Sequence, residues 1–141
     1  MYLLDTNVIS ELRKAGTNRA NKNVIKWAQS ISTSNMFISS ISILEIELGV
    51  LQLERKDIKQ ASVYKMWLND QVLKAFSERI LSFNTSIALK CAQLHVPDPK
   101  SERDAMIAAT SIVHGFTLVS RNERDFQHID VQLINPWKTI K

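Results

Sequence analysis

A short apolar run that ends in a polar residue and gives way to helical spacing recurs along this chain, and it limits the folds available. Tyr2-Leu3-Leu4 reads as a buried strand stopped by Asp5, and Thr6-Asn7 can cap a helix through Ile9, Leu12 and Arg13. Residues 14–23 are polar and read as a loop, and residues 24–31 read as a helix. Residues 36–39 form a second strand, with Ser40 as the expected cap of a helix over 41–53. Ile41, Leu44, Leu48 and Leu51 share one face of that helix and are its expected core stripe. The spacing predicts a long helix over 57–76, with a stripe at Ile58, Ala61, Lys65, Leu68, Val72 and Ala75. Short strands at 79–83, 116–120 and 131–134 and helices over 85–95 and 101–114 complete the pattern, with Gly115 as a stop. In the last helix Ser101 is the expected cap, and Glu102 and Asp104 sit in the positive first turn. Strands separated by helices give an α/β fold, a central parallel sheet flanked by helices on both faces. Residues 1–141 are expected to form a single domain.

Composition narrows the function classes. Cys91 stands alone in an apolar helical stretch, so it reads as a small core residue in a reducing, cytoplasmic setting. The N-terminus has no basic stretch before an apolar run and is not a signal peptide, and Glu45 and Glu47 break the most apolar region, so no membrane span is expected. The net charge of +4 agrees with a polyanionic partner but also with an ordinary solvated surface.

Ligands of open α/β sheets bind beyond the carboxyl ends of the strands. Asp5 ends the first strand, Glu45 lies on the helix after the second, Asp104 opens a late helix, and Asp125 follows the strand at 116–120. Four carboxylates in one cleft repel one another unless a cation compensates them, and an all-oxygen set suits Mg²⁺ or Mn²⁺. His95, His114 and His128 are scattered and offer no zinc spacing. Such carboxylate-held cations activate water for phosphodiester cleavage. With those four acids turned inward, 18 basic residues face 10 remaining acids, a surface of +8. Lys100, Arg103, Arg121 and Arg124 lie close in sequence to Asp104 and Asp125 and are candidate phosphate contacts for RNA.

Each acid has a plainer reading. Asp5 could only cap a helix, Asp104 could only complement a helix dipole, and Asp125 could only be a loop acid. Glu47 competes with Glu45, and the pattern does not choose between them. Thr6, Ser120 and Asn122 serve equally well as cap or turn residues. The set and its order carry the weight.

That set resembles PIN-domain nucleases. Residues 3–11, Leu-Leu-Asp-Thr-Asn-Val-Ile-Ser-Glu, resemble their first motif. The segment from Ile38-Ser39 to Glu45-Ile46-Glu47-Leu48-Gly49 resembles the second, whose acid stands four residues before a glycine, which selects Glu45. Residues 103–110, with small residues for close helix packing, resemble the third, and residues 118–126 the fourth. Motif wording and size are most similar to the VapC-like toxins of bacterial toxin–antitoxin pairs, including the FitB-like branch. The resemblance implies a PIN fold with Asp5, Glu45, Asp104 and Asp125 as catalytic and metal ligands, supported by Thr6 and Asn122. It also implies a metal-dependent endoribonuclease that cuts cellular RNA, a homodimer, and a small cognate antitoxin through which alone promoter DNA is bound. Two rivals stand beside it: a nuclease of the same fold acting on structured DNA or in RNA maturation, and a non-catalytic binding module. The second would have lost an acid, and here all four positions are filled. The helix over 57–76 carries Tyr64 and Trp67 beside its core stripe, and it is expected to contribute to a dimer or antitoxin groove unless both rings fill the core.

Overall fold

The computed structural model describes residues 1–138. Its sheet has five parallel strands: β1 (Tyr2–Leu4), β2 (Met36–Ser39), β3 (Ile80–Leu81), β4 (Thr117–Val119) and β5 (Leu133–Ile134). Their spatial order is β3-β2-β1-β4-β5. The chain therefore builds outward from β1 in one direction and then returns to build outward in the other. The switch lies between β1 and β4, where Leu4 pairs with Val119 and the Asp5 N–H donates to the Val119 carbonyl at 2.9 Å.

Alternation along the strands makes two cores. Leu4, Ile38 and Val119 face one side of the sheet. There they meet helix α1 (Thr6–Leu12), helix α2 (Lys22–Gln29) and Ile46 of helix α3 (Ser40–Glu54). Leu3, Phe37 and Leu118 face the other side, against Ile41, Phe126, Ile129 and helix α7 (Glu102–His114). Helix α6 (Thr85–Leu94) packs on α7 through Ile87, Cys91, Ala105 and Ala109. Cys91 is buried there, as its apolar surroundings foretold. Ala105, Ala108 and Ala109 are fully buried, so the small residues of α7 do let neighbouring elements approach closely. Gly115 ends α7 with φ +69°, in the left-handed region that favours glycine.

Several local expectations need correction. Asp5, not Thr6, is the N-cap of α1, its carboxylate accepting from the Thr6 N–H, and Ser39, not Ser40, caps α3. Ser101 occupies the N-cap position of α7 but makes no side-chain capping bond. The expected core stripe of α3 is mostly on the wrong face. Ile41 is buried, but its companions are Ser42, Ile46 and Val50, while Leu44 and Leu51 are half exposed. The long helix over 57–76 is three pieces: α4 (Ile58–Trp67), a π-helical segment (Leu68–Val72) and the short α5 (Leu73–Ala75). The π segment takes up one extra residue, which shifts the register and buries Trp67 and Leu68 side by side. Ile58 at the start of the expected stripe is 75% exposed. Helix α8 (Glu123–Phe126) follows β4 where a loop was expected.

The α3 assignment has a direct check. Ile46→Ala should destabilise the fold by about 2–5 kcal/mol in urea unfolding, as buried large-to-small changes do, and Leu44→Ala by less than about 1 kcal/mol. Equal losses would return Leu44 to the core.

Candidate active site at the sheet edge

Asp5 leaves β1 at the switch point and is 4% exposed. Its Oδ1 accepts from the Thr6 N–H at 2.8 Å and its Oδ2 from the Ser120 hydroxyl at 2.6 Å. Ser120 directly follows β4, so this bond ties the two central strand ends together. Asn7 adds a second tie. Its Nδ2 lies 3.3 Å from both Asp5 Oδ2 and Ser120 Oγ, and its Oδ1 accepts from the Arg121 N–H at 3.2 Å. The Ser120 oxygen also accepts from the Asn122 N–H at 3.0 Å. Neither Asn7 nor Ser120 stood among the expected site residues. Both lie inside the quoted motifs, but small polar residues after strands serve equally well in turns, and nothing marked them out. Asn122 supports the site through its backbone, and its side chain makes no capping bond.

Glu45 reaches the same edge from the second turn of α3. Thr6 Oγ1 lies 2.7 Å from Glu45 Oε1 and 2.9 Å from Ser42 Oγ. A carboxylate only accepts, so the single Thr6 proton goes to Glu45. This bond places Thr6 against the Glu45 carboxylate. Arg103 Nη1 stands 3.9 Å from Glu45 Oε2, a loose and half-exposed pair of small energetic value.

The acids also sense one another. Burial pushes the Asp5 carboxyl up to about 6, opposed by the Ser120 and Thr6 hydrogen bonds and reinforced by the charges of Asp104 and Glu45. Asp104, at the start of α7, is likewise raised, first by burial and then by the charge of Asp125 on α8, with Glu45 adding to it against a hydrogen bond from Ser101. Asp104 is thus the middle member, coupled to Asp5, Glu45 and Asp125. Asp125 itself is exposed.

Among the described residues, no three carboxylate, histidine or cysteine side chains converge tightly enough to form a ready-made cage. Mg²⁺ keeps several waters and is bound through one or two carboxylates plus substrate phosphates. The donor set is all oxygen, and the buried charge of Asp5 has no cation of the chain bonded to it among the described residues. These residues fit a hard divalent cation.

The basic candidates divide. Arg103 reaches the cleft. Arg121 flanks it and lies 5.3 Å over the Trp137 ring. Lys100 borders a different depression, with Pro97, His128 and Asp130, and its N–H donates to His95 Nδ1. Arg124 is exposed, and no ion pair joins it or Lys100 to the four acids among the described residues. Sequence nearness to Asp104 therefore misled for Lys100: it precedes the helix and turns toward the 128–130 loop.

A parallel sheet of this order is a doubly wound α/β architecture, and its acids lie where such sheets bind their ligands. The PIN domain profile matches residues 2–132, and the chain belongs to the PIN-domain family. Within that family it is similar to the VapC ribonuclease Y4jK of Sinorhizobium fredii, 32% identical over 143 residues covering 98% of this chain and 99% of the relative. It is also 33% identical to Toxin FitB of Neisseria gonorrhoeae over 142 residues, 97% of this chain and 99% of that one. The FitAcB crystal structure from N. gonorrhoeae superposes with TM-score 0.85 at 33% identity, covering 99% of this chain and 100% of that one. VapBC2 from Rickettsia felis, bound to a promoter DNA fragment, shares the fold with TM-score 0.69 at 23% identity, covering 95% and 97% of the two chains.

The raised carboxyl of Asp104 fixes a sign. Its folded value lies above its unfolded one, so its ionisation opposes folding at neutral pH, and this penalty is absent below the ordinary value of 3.8. Asp104→Asn should therefore melt a few degrees above the wild type in EDTA at pH 7.5, and the two melts should converge as the pH falls toward 3.8. A lower melt at pH 7.5 would make Asp104 a structural helix-start acid.

Proposed function

We propose that this chain is a divalent-metal-dependent endoribonuclease toxin, a single PIN domain over residues 1–141 that cuts cellular RNA. The observation that carries this reading is that Asp5, held by Ser120 and Thr6, and Glu45, held by Thr6, lie at one sheet edge with Asp104 and Asp125 near enough for their charges to be felt there. Carboxyls raised by burial and mutual repulsion are an arrangement that a fold does not need for itself, and a bound cation would relieve it. The similarity to a VapC ribonuclease and to Toxin FitB supports the nuclease class and the toxin role.

Mg²⁺ or Mn²⁺ in this cleft would neutralise charge on the scissile phosphate and lower the pKa of the attacking water. The chain's own residues do the rest. Asp5, fixed by Ser120, Thr6 and Asn7, presents a buried carboxylate that cannot swing away. Glu45 is aimed by Thr6, and Asp104 lies between it and Asp125. Asp125, exposed on α8, lies at the cleft rim. Arg103, only loosely paired, is free to turn from Glu45 to an RNA phosphate, and Arg121 flanks the same edge.

The partners follow from the relatives. Toxin FitB has been solved as FitAB bound to a DNA fragment, at TM-score 0.87 and 32% identity to this chain. In this reading a small cognate antitoxin restrains the chain and carries the contact to promoter DNA. The working form is a homodimer. Trp67 fills the monomer core while Tyr64 is half-buried, so of the two aromatics on α4 only Tyr64 is left to serve an outer surface. No helix among the described residues is long and apolar enough to cross a membrane, and the cytoplasm is the proposed site of action.

Two measurements test the reading. Purified protein should cut total RNA with Mg²⁺ or Mn²⁺ and stop when EDTA is added, with duplex and single-stranded DNA of matched sequence left intact. Cleavage that persists in EDTA with metal content confirmed as nil would sink the metal mechanism. Glu45→Gln should lower kcat/KM by roughly 100-fold or more, a loss in the range of one key transition-state group, while Glu47→Gln stays within a few-fold. The reverse order would place the site on the other face of α3.

A further inference from the structure

The sequence keeps its acids out of one span. From Arg13 to Leu44 there is no aspartate or glutamate, although the chain has 14 of them, while Arg13, Lys14, Arg19, Lys22 and Lys26 all fall inside it. Two of these cations are engaged by the chain itself. Arg13 lies 4.5 Å over the Tyr64 ring and donates to its hydroxyl at 3.3 Å, and Lys14 pairs with Glu11 at 3.4 Å. Arg19, Lys22 and Lys26 are exposed and make no ion pair among the described residues. A solvated surface ordinarily mixes the two signs, so cations gathered without an acid call for an anion from outside.

The fold holds these three together. Lys22 and Lys26 stand one turn apart on α2 and line a depression of about 230 Å³ whose other wall is the loop over residues 16–20. Arg19 belongs to that loop, which keeps its shape through its own bonds. The Thr17 hydroxyl donates to the Lys14 carbonyl at 2.6 Å and accepts from the Arg19 N–H at 3.2 Å, and the Glu11 carboxylate accepts from the Asn21 N–H at 2.9 Å. The basic face is joined to the acids. Asn7, bonded to Asp5, takes the Arg121 N–H, and the Arg121 guanidinium lies 5.3 Å over the Trp137 ring. Asn23, next to Lys22, donates to the Trp137 carbonyl at 2.9 Å. The acids along this path are engaged, Glu11 by Lys14 and Asn21 and Glu123 by Lys138 at 2.6 Å.

The same face offers a protein little. Between residues 13 and 43 no large apolar side chain is exposed among the described residues, and protein interfaces are anchored by such side chains. A row of phosphates needs only cations and amides, and Asn18 and Gln29 are exposed beside the three cations. We propose that Arg19, Lys22 and Lys26 hold the sugar–phosphate backbone of the RNA strand to one side of its scissile phosphate, with Arg121 as the link to the acids. This rests on the nuclease reading and deepens it, because it assigns a surface to the strand beyond the cut. The three cations bind substrate and touch no reacting atom.

The test uses the full chain with Mn²⁺ and single-stranded RNA oligonucleotides spanning a cut mapped in total RNA. One is short and ends close to the cut, one is extended on the 5′ side, and one is extended on the 3′ side. The wild type should cut one of the extended strands better than the short one, through a lower KM. The triple variant Arg19→Gln, Lys22→Gln, Lys26→Gln should lose that advantage, roughly tenfold in kcat/KM, with kcat and cleavage of the short strand within about twofold of the wild type. On the extended strand its slope of log kcat/KM against log salt should flatten by about 2, at about 0.7 for each lost single-strand phosphate contact. A control with the same charge change elsewhere, Lys56→Gln, Lys59→Gln, Lys74→Gln, should keep the advantage. All six side chains are exposed, and far-UV circular dichroism melts confirm that both variants are folded.

If the triple variant cuts the extended strand as well as the wild type, or loses as much on the short strand, the backbone does not lie on this face. An equal loss in the control would put the effect down to net charge and overturn the proposal as well. A triple variant that cuts RNA normally but no longer binds duplex DNA or a protein inhibitor would give the face to that partner instead. If the wild type cuts RNA with no preference for either extended strand, the assignment of this face alone fails. If the wild type cuts no RNA under any metal condition, the nuclease reading fails and takes this one with it.

Discussion

A single buried carboxylate organises this molecule. Asp5 closes β1, caps α1, and takes a hydrogen bond from the residue that closes β4. Its carboxyl at about 6 against an ordinary 3.8 corresponds to roughly 3 kcal/mol of opposition to folding at neutral pH. The sign is definite: the penalty is absent below 3.8, grows as the pH rises toward 6, and is complete above it. Burial is the first cause, so the fold itself creates the unfavourable charge by covering it. Ser120, Thr6 and Asn7 offset part of that opposition, and their geometry leaves the Asp5 carboxylate one orientation. An acid so held would bind a hard cation, as the proposed function has it, with little further ordering.

How much of this was legible in the sequence depended on how many roles each residue type can play. The strands were legible because Leu3 and Leu4 are buried on opposite faces, and only a sheet covered on both sides tolerates that run. Gly115 was legible because the left-handed helix end accepts few other residues. Helix α3 was not, because it is apolar nearly all round: Ile41, Ile43, Leu44, Ile46, Leu48, Val50 and Leu51 give no single stripe to choose. The π segment was hidden for a related reason. One extra residue in a turn leaves composition unchanged and appears only as a slipped stripe, with Ile58 outside and Trp67 inside.

Of the candidate site, the four acids stood out as a set, and geometry then ranked them. Glu45 separates from Glu47 by its bond to Thr6, a contact 39 residues apart that local pattern cannot contain. Asp104 proved to be the central charge, the one coupled to the acids on both sides. The supporting polar residues were the least legible part. Asn122 acts through its backbone, and that gives its side chain no say in the matter. Lys100 shows the converse failure, being near Asp104 in sequence yet bordering another depression.

The distribution of charge explains why acidic and basic features coexist here. The chain is net +4, yet its cleft gathers carboxylates. A polyanion drawn to the basic surface would be repelled at the cleft unless a divalent cation first reversed the local sign. In the proposed function, attraction at long range and repulsion at the centre would make occupancy by metal the condition for productive approach. Arg103 fits this logic, because a guanidinium 3.9 Å from Glu45 is a weak internal counterion. It is too loosely held to compete with a divalent ion. In the proposed function, the same loose pairing would leave it available to a phosphate when Glu45 holds a metal.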